Sequence, residues 1–272
     1  RYNVKVSGKG ERALVFMHGF GCDQNVWRDV SPAFEGEWRT VLFDHIGAGK
    51  SDLSCYDRDK YSSLQGYADD LIAIVRELGL REVVVVGHSV SAMIAVLAAV
   101  KEPGLFSRLV LIGPSPCFLN DGDYQGGFER KDIEDLLAAM DSNFFGWSSM
   151  ITPVIMGNPD RPELAGELSE SFCRTDPTIA RHFARVTILA DNRGELEKLT
   201  VPSLITALMS PLDEPSKAAT ELPRPFSSAR AASRPTLAGA LPIFGNSCFS
   251  SSPCACICRC PCAGSTRLSI RT

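Results

Sequence analysis

Four short apolar runs in the first part of the chain predict β-strands that are buried on both faces. Few polar residues interrupt each run, and Gly or Pro closes it, which is typical of strands in a parallel sheet covered by helices. The runs lie in RALVFMHGF (12–20), RTVLFDHIGAG (39–49), EVVVVGHSV (82–90) and RLVLIGPSP (108–116).

Two segments between and after these runs have the pattern of helices. In residues 62–80, apolar side chains recur at helical spacing and Gly79 stands at the predicted C-terminal end. Residues 91–103, SAMIAVLAAVKEP, are rich in small residues, as a helix pressed against a sheet would be. The alternation of strands and helices predicts an α/β fold over residues 1–116, with a doubly wound, mostly parallel sheet whose ligands bind at the carboxyl ends of the strands.

The pattern after residue 116 predicts short amphipathic helices. The segment 131–147 places Ile133, Leu136, Leu137, Met140 and Phe144 on one helical face. Two further helices are predicted in 161–173 and 176–190, each with a Pro near its first turn. Helices with one apolar face must cover something, so residues 117–195 are predicted to form a lid inserted into the core, which resumes over 196–205.

Ser89 has the surroundings of a catalytic nucleophile. It lies between a valine strand and an Ala-rich helix, with Gly87 and Ser91 two residues away on either side. Small residues at these positions permit the tight turn that raises a nucleophilic serine above the sheet. The N–H of Val90, at the helix N-terminus, and that of Phe20, after the first strand, are predicted to stabilise an oxyanion. A chance match to this short pattern is the alternative, and the flanking strand and helix argue against it.

The chain lacks a histidine where such a serine needs one. On this fold the order along the chain is Ser, acid, His, so the base is expected in a loop after the last strand. The four histidines are His18, His45, His88 and His182, and none follows residue 182. The general base is therefore predicted to be missing, and the chain as written to be inactive.

Motifs spread over residues 2–205 resemble a known family. They are HGFGCDQNVW, FDHIGAGKSD, GHSVSAM, LIGPSPCFLND, GGFE, NPDRPEL, FCRTDPTIARHFA and LTVPSLI. Together they resemble the α/β-hydrolase group of the bacterial stress-response regulator RsbQ, which is similar to the plant karrikin and strigolactone receptors. The resemblance implies an α/β-hydrolase fold with a lid of four helices, a Ser-His-Asp triad and a closed apolar pocket. It also implies a small apolar ligand or ester and a regulatory phosphatase partner in stress signalling.

The same resemblance implies further site residues. Phe20, Phe128 and Trp147 match aromatic residues that line the family's pocket, although each could instead only pack the lid against the core. Asp213 lies near the position of the family's triad Asp and could serve as the acid if the strand before it forms. No cofactor and no metal are expected.

Charge and hydropathy narrow the class of partner. The net charge of −4 comes without a basic stripe, which argues against nucleic acid or an anionic membrane surface as the main partner. No apolar run is long enough to span a bilayer and no leader pattern opens the sequence, so a soluble, cytoplasmic protein is expected.

Residues 206–272 differ in composition from the rest of the chain. They are rich in Ala, Pro, Ser, Arg and Cys and have no apolar periodicity. A soft-metal site is one interpretation of the cysteines, but structural zinc sites favour Cys-x-x-Cys pairs, which are absent here. We interpret the segment as an out-of-frame or disordered tail, produced by a frame change near residue 206. The clustered cysteines are Cys254, Cys256, Cys258, Cys260 and Cys262.

Two hypotheses of function follow. The first is a serine hydrolase that acts on a small apolar ester or lactone, with a regulatory role in stress signalling. The second is a non-catalytic protein that keeps the pocket and binds a small ligand without turnover. A covalent acyl group on Ser89 after ester treatment would distinguish the first from the second.

Overall fold

The computed structural model describes residues 1–206 and contains one six-stranded sheet in that range. The strands are β1 (Lys5–Ser7), β2 (Ala13–Met17), β3 (Arg39–Leu42), β4 (Val83–His88), β5 (Phe106–Ile112) and β6 (Ser203–Thr206). Their order in the sheet is β1-β3-β2-β4-β5-β6, and every neighbouring pair is parallel except β1 with β3. This is the doubly wound, mostly parallel sheet that the apolar runs predict.

Side chains from the two faces of the sheet belong to different hydrophobic clusters. Along β2, Val15 and Met17 join the large core that also receives helices, whereas Leu14 and Phe16 pack on the other face with Trp27. Burial of both faces explains why these strands have almost no polar alternation.

Two helices that the sequence predicts join the strands of the core. They are α1 (Leu64–Glu77) and α2 (Val90–Lys101). Gly79 follows the end of α1 with φ +64°, the left-handed conformation that commonly ends a helix. Helix α2 is buried along most of its length, because its alanines allow it to lie close against the sheet.

Four helices are inserted between β5 and β6, as expected for an α/β-hydrolase fold with an inserted helical region. They are α3 (Arg130–Ser142), α4 (Phe144–Met156), α5 (Pro162–Cys173) and α6 (Pro177–Ile188), and the single turn α7 (Arg193–Leu196) precedes β6. Pro162 and Pro177 open α5 and α6 as predicted.

The segment 131–147 forms parts of two helices, and not the single helix that its apolar spacing predicts. The break lies at Asn143, whose side chain accepts a hydrogen bond from the N–H of Gly146 and caps α4. Phe144 is nevertheless buried, because α4 packs against α5, where the ring of Phe144 contacts that of Phe172. A cap of this kind ends one helix and begins the next while the spacing of the apolar side chains continues, so the spacing alone does not reveal the break.

Within residues 1–206, no helix is long and apolar enough to cross a membrane. The interpretation of 206–272 as an aberrant tail and the candidate acid Asp213 concern residues that lie almost wholly outside the described range.

Candidate active site

Ser89 occupies the turn between β4 and α2. Its backbone has φ +56° and ψ −122°, a conformation that non-glycine residues rarely adopt. The turn is held by hydrogen bonds from Ser89 N–H to the Ile112 carbonyl at 2.8 Å and from Ala92 N–H to the Ser89 carbonyl at 2.9 Å. Such a strained strand-to-helix turn at the carboxyl edge of a parallel sheet is the geometry that presents a nucleophilic serine.

Gly87 is required by the close approach of α2. A Cβ atom at this position would lie 2.5 Å from the Ser91 carbonyl oxygen and 2.8 Å from the Ala92 nitrogen. Both atoms belong to the backbone of the first helical turn, so neither can move without distorting the serine turn.

We therefore expect Gly87→Ala to lower the free energy of unfolding by about 1–3 kcal/mol, the usual cost of overpacking. Gly166→Ala is the matched control, because a Cβ there meets no atom within 4 Å and α5 should gain up to about 1 kcal/mol of helix propensity. Urea unfolding of both variants measures the difference. Equal stability of the two would contradict this account of the turn.

The loop after β2 lies directly against the serine turn. A Cβ atom on Gly19 would be 3.4 Å from Ser89 Cβ and 2.8 Å from His88 Nδ1. The Gly19 carbonyl accepts hydrogen bonds from His18 Nδ1 at 2.9 Å and from Cys22 N–H at 3.2 Å. The residue that follows Gly19 is Phe20, and Val90 begins α2, so the structure brings both candidate oxyanion donors into segments that adjoin Ser89.

Aromatic side chains of the inserted helices pack against this loop. The ring of Phe20 lies 5.5 Å from that of Phe172 and 5.8 Å from that of Phe183, in edge-to-face contacts. Trp147 is buried 5.7 Å from Phe172, so two of the three predicted pocket residues share one cluster. These contacts depend on Phe172 and Phe183. In the sequence, only the high aromatic content of the predicted helices indicated a contribution from such residues.

Phe128 lies in a neighbouring cluster. It is buried with Ile133 and Leu137 of α3, and Phe118 packs against the same group. Ile188 contacts both this cluster and the one that contains Trp147. The third predicted pocket residue thus belongs to a different hydrophobic cluster from Phe20 and Trp147.

Three of the four histidines make hydrogen bonds elsewhere. His45 Nε2 lies 2.7 Å from Ser91 Oγ, His18 Nδ1 is bonded to the Gly19 carbonyl, and His182 Nδ1 is bonded to the Tyr56 hydroxyl. His88 Nδ1 is buried and has no hydrogen-bond partner among the described residues. Within residues 1–206, no histidine is hydrogen-bonded to the Ser89 hydroxyl.

Burial keeps the histidines near the turn uncharged. It lowers the pKa of His18, and burial together with the neighbouring His18 lowers the pKa of His45 well below its ordinary value. Burial, with a smaller contribution from His18, also lowers the pKa of His88 to about 4. All three are therefore neutral at pH 7.

Acid should destabilise the fold through these groups. A histidine has a pKa of about 6.5 in the unfolded chain, so below that pH the unfolded state binds more protons than the folded state. Their contribution is complete above about pH 6.5 and is lost as the pH falls toward the folded pKa values, by about 1.4 kcal/mol per unit of pKa difference.

We expect the urea concentration at the midpoint of unfolding to decrease as the pH is lowered from 7.5 to 5. The decrease should be less steep in the His45→Gln variant, which has one buried titratable group fewer. Equilibrium unfolding at several pH values measures both slopes. A parent protein whose stability is constant or rises on acidification over this range would contradict the buried, neutral state of these side chains.

The described residues do not gather metal ligands. Within residues 1–206, no group of three or more His, Cys, Asp or Glu side chains is placed to hold a metal ion.

A mostly parallel sheet that packs against α1 and α2, an inserted helical region and a serine at a strained strand-to-helix turn define an α/β hydrolase. The family model described as "alpha/beta hydrolase fold" matches residues 12–141. Within this class, the chain belongs to the family that contains the karrikin insensitive 2 receptors and the strigolactone esterases.

Relatives and solved structures support this assignment. The chain is 40% identical over 214 residues to the karrikin insensitive 2 receptor CA of Petunia hybrida, which covers 79% of each chain. It is 40% identical to the strigolactone esterase D14 of Arabidopsis thaliana, over 80% of this chain and 81% of that one. The solved structure of a hydrolase from Oleispira antarctica is 45% identical, with a TM-score of 0.73 over 75% of this chain and 76% of that chain.

Proposed function

We propose that this protein is a serine hydrolase of small apolar esters or lactones, with Ser89 as the nucleophile. The observation that carries the proposal is the conformation of Ser89, which has φ +56° between β4 and α2 with Gly19 packed beside it. A buried structural serine has no need of this strain, whereas a nucleophile needs its hydroxyl raised above the sheet.

The reaction would proceed through an acyl-enzyme. Ser89 Oγ attacks the carbonyl carbon, its proton passes to a histidine base, and the carbonyl oxygen becomes an oxyanion held by the N–H groups of Val90 and Phe20. Collapse of this intermediate breaks the ester C–O bond, and the base returns the proton to the departing alkoxide. Water then attacks the acyl group, and its proton follows the same route back to the serine.

The substrate class rests on the relatives and on the aromatic contacts. Relatives carry the names strigolactone esterase and karrikin insensitive 2 receptor, and we extend a small lactone or ester ligand to this chain. Phe20, Trp147 and Phe128 would line the apolar pocket, and residues 117–195 would form the lid above it, with 196–205 returning the chain to the core of residues 1–116. Aromatic side chains of this kind suit a small apolar ligand held beside a few polar groups.

We further propose a regulatory role of the RsbQ type, in which the hydrolase supports a phosphatase in stress signalling. The motifs that span residues 2–205 support it, because they resemble that bacterial group as well as the plant receptors. Binding of the purified protein to the stress-response phosphatases of the same organism would test the idea, and failure to bind any of them would count against it.

A frame change near residue 206 would explain the missing base. The chain has no histidine after His182, and its match to relatives leaves about a fifth of each chain uncovered. The segment that follows has the composition of neither a strand nor a helix. Sequencing the gene around codon 206 tests this proposal: another frame should encode a segment with the triad Asp and His, and the absence of such a frame would refute it.

A non-catalytic ligand-binding protein is the second candidate. The observation that favours it is that none of the four histidines is hydrogen-bonded to the Ser89 hydroxyl. In this case the pocket would bind a lactone, Asp213 would have no role as the acid, and turnover would be absent.

Mass spectrometry after treatment with an activated aryl ester distinguishes the two candidates. The hydrolase requires an acyl group on Ser89 that is released with time, in a form of the protein whose C-terminal segment supplies a histidine. Saturable ligand binding without any acyl adduct in that form would favour the binding protein.

A further inference from the structure

A chain of buried hydrogen bonds joins the helix after Ser89 to the loop that carries the Phe20 N–H. Ser91 Oγ, in the first turn of α2, is bonded to the His18 carbonyl oxygen and lies 2.7 Å from His45 Nε2. The backbone N–H of His45 donates a hydrogen bond to His18 Nε2 at 3.1 Å, and His18 Nδ1 is hydrogen-bonded to the Gly19 carbonyl. His18, His45 and Ser91 are all buried.

The partners fix the direction of each hydrogen bond in this chain. A carbonyl oxygen only accepts, so the Ser91 hydroxyl donates to His18 and must accept from a protonated His45 Nε2. In the same way, His18 Nε2 accepts a hydrogen bond from the backbone N–H of His45. The ring proton of His18 therefore lies on Nδ1, which donates to the Gly19 carbonyl. Both rings are neutral, and His45 Nδ1 is left as a lone pair without a partner among the described residues.

This arrangement sets the orientation of the Phe20 N–H. The Gly19 carbonyl and the Phe20 N–H belong to one planar trans peptide and point in opposite directions. Hydrogen bonds from His18 Nδ1 and from the Cys22 N–H hold the Gly19 carbonyl, so they also hold the donor on the other side of the peptide. Ser91 fixes the preceding peptide, through the His18 carbonyl, from a position two residues after Ser89.

The packing around position 45 does not require a histidine. The ring of His45 is surrounded by those of Phe43, Tyr67 and Phe183, at 5.4, 5.7 and 6.2 Å between centroids. A hydrophobic side chain would fill this space without leaving an unpaired nitrogen, which costs free energy when buried. The hydrogen bond to Ser91 is what the histidine adds.

We propose that His45 is a positioning residue for the oxyanion hole: it holds the Ser91 hydroxyl toward the His18 carbonyl, and this ties the Ser89 turn to the loop that presents the Phe20 N–H. The inference rests on the proposed hydrolase function. His45 touches no reacting atom and acts only through Ser91 and His18.

Binding of phenylboronic acid to the 272-residue chain tests the proposal without requiring a general base. The Ser89 oxygen forms a bond to boron and its proton is released to solvent, which gives a tetrahedral boronate whose oxygen occupies the oxyanion hole. Boron-11 NMR distinguishes this adduct from the free trigonal acid, and titration gives its dissociation constant.

We expect His45→Leu and Ser91→Ala each to weaken the boronate adduct at least about tenfold, because a misdirected donor loses much of its stabilisation of the oxyanion. The double variant should lose little more than either single one, since both remove the same link. His45→Gln, which restores an N–H donor at a similar reach, should recover binding to within about threefold of the parent.

Two controls separate positioning from general destabilisation. Benzamide, which is neutral and forms no tetrahedral anion, should bind all variants equally. Ser203→Ala removes a buried hydrogen bond to the Val201 carbonyl at 3.0 Å, at the start of β6 and so at the opposite edge of the sheet from the Ser89 turn, and should leave the affinity for the boronate unchanged.

The outcomes are distinguishable. Boronate affinity that is unchanged in Ser91→Ala and His45→Leu, or lost together with benzamide affinity, would overturn the positioning role and leave the proposed function standing. A parent chain that forms no more adduct than its Ser89→Ala variant would overturn the proposed function and this inference with it.

Discussion

The 272-residue chain is expected to hydrolyse small aryl esters no faster than its own Ser89→Ala variant. A chimera whose residues 206–272 are replaced by the corresponding segment of the Oleispira antarctica hydrolase should have a kcat/KM at least about 10⁴-fold higher. The reason is that a serine hydroxyl stays protonated at neutral pH without a base. His18, His45 and His182 are already engaged in other hydrogen bonds. His88 makes no hydrogen bond to Ser89, and burial lowers its pKa to about 4, which makes it a weak base.

Release of a chromogenic phenol at pH 7 to 8 measures both rates. The control is the same chimera with the histidines of its new C-terminal segment changed to Ala, which should return the rate to that of the 272-residue chain. Turnover by the 272-residue chain at the chimera's rate would contradict the account, and the base would then have to be one of the four histidines of residues 1–206.

Ser89→Ala in the active chimera should lower kcat by about 10⁴- to 10⁶-fold, with little change in KM. The substitution removes the atom that attacks the carbonyl, while the backbone N–H groups and the apolar contacts that bind substrate remain. Activity within a few fold of the chimera would show that the nucleophile is elsewhere.

The matched control for this variant is Ser149→Ala, which changes an exposed serine on the outer side of α4. It should leave both kcat and KM unchanged. Thermal unfolding of the two variants should be similar, because the Ser89 side chain makes no hydrogen bond to another described residue.

The parts of the fold that local pattern determines could be predicted from the sequence. Uninterrupted apolar runs gave β2, β3, β4 and β5, since strands buried on both faces need apolar side chains throughout. Strand β1 was missed, because it is three residues long at the edge of the sheet and its side chains are largely exposed. The division between α3 and α4 was also missed, because it depends on one capping side chain, Asn143.

The serine turn could be predicted because its signal is local. Gly87, Ser89 and Ser91 stand within five consecutive residues, and the flanking strand and helix are visible in the same window. The link through His45 could not be predicted, because it joins side chains from three segments that are distant in sequence.

The aromatic contacts around Phe20 could not be predicted from the sequence for the same reason. The packing of Phe172 and Phe183 against Phe20, and the separate location of Phe128, depend on how four short helices sit on the core. Helical spacing reports only which face of each helix is apolar, and not which neighbour that face meets.

The location of a covalent label tests most directly whether Ser89 is the nucleophile. A fluorophosphonate that reacts with activated serines should be applied to the active chimera, followed by trypsin digestion and fragmentation of the peptide that spans residues 82–101. This peptide contains both Ser89 and Ser91, so fragmentation must assign the label to one of them. We expect a stoichiometric label on Ser89 that abolishes turnover. A label on Ser91 or on any other residue, with loss of activity to match, would contradict it.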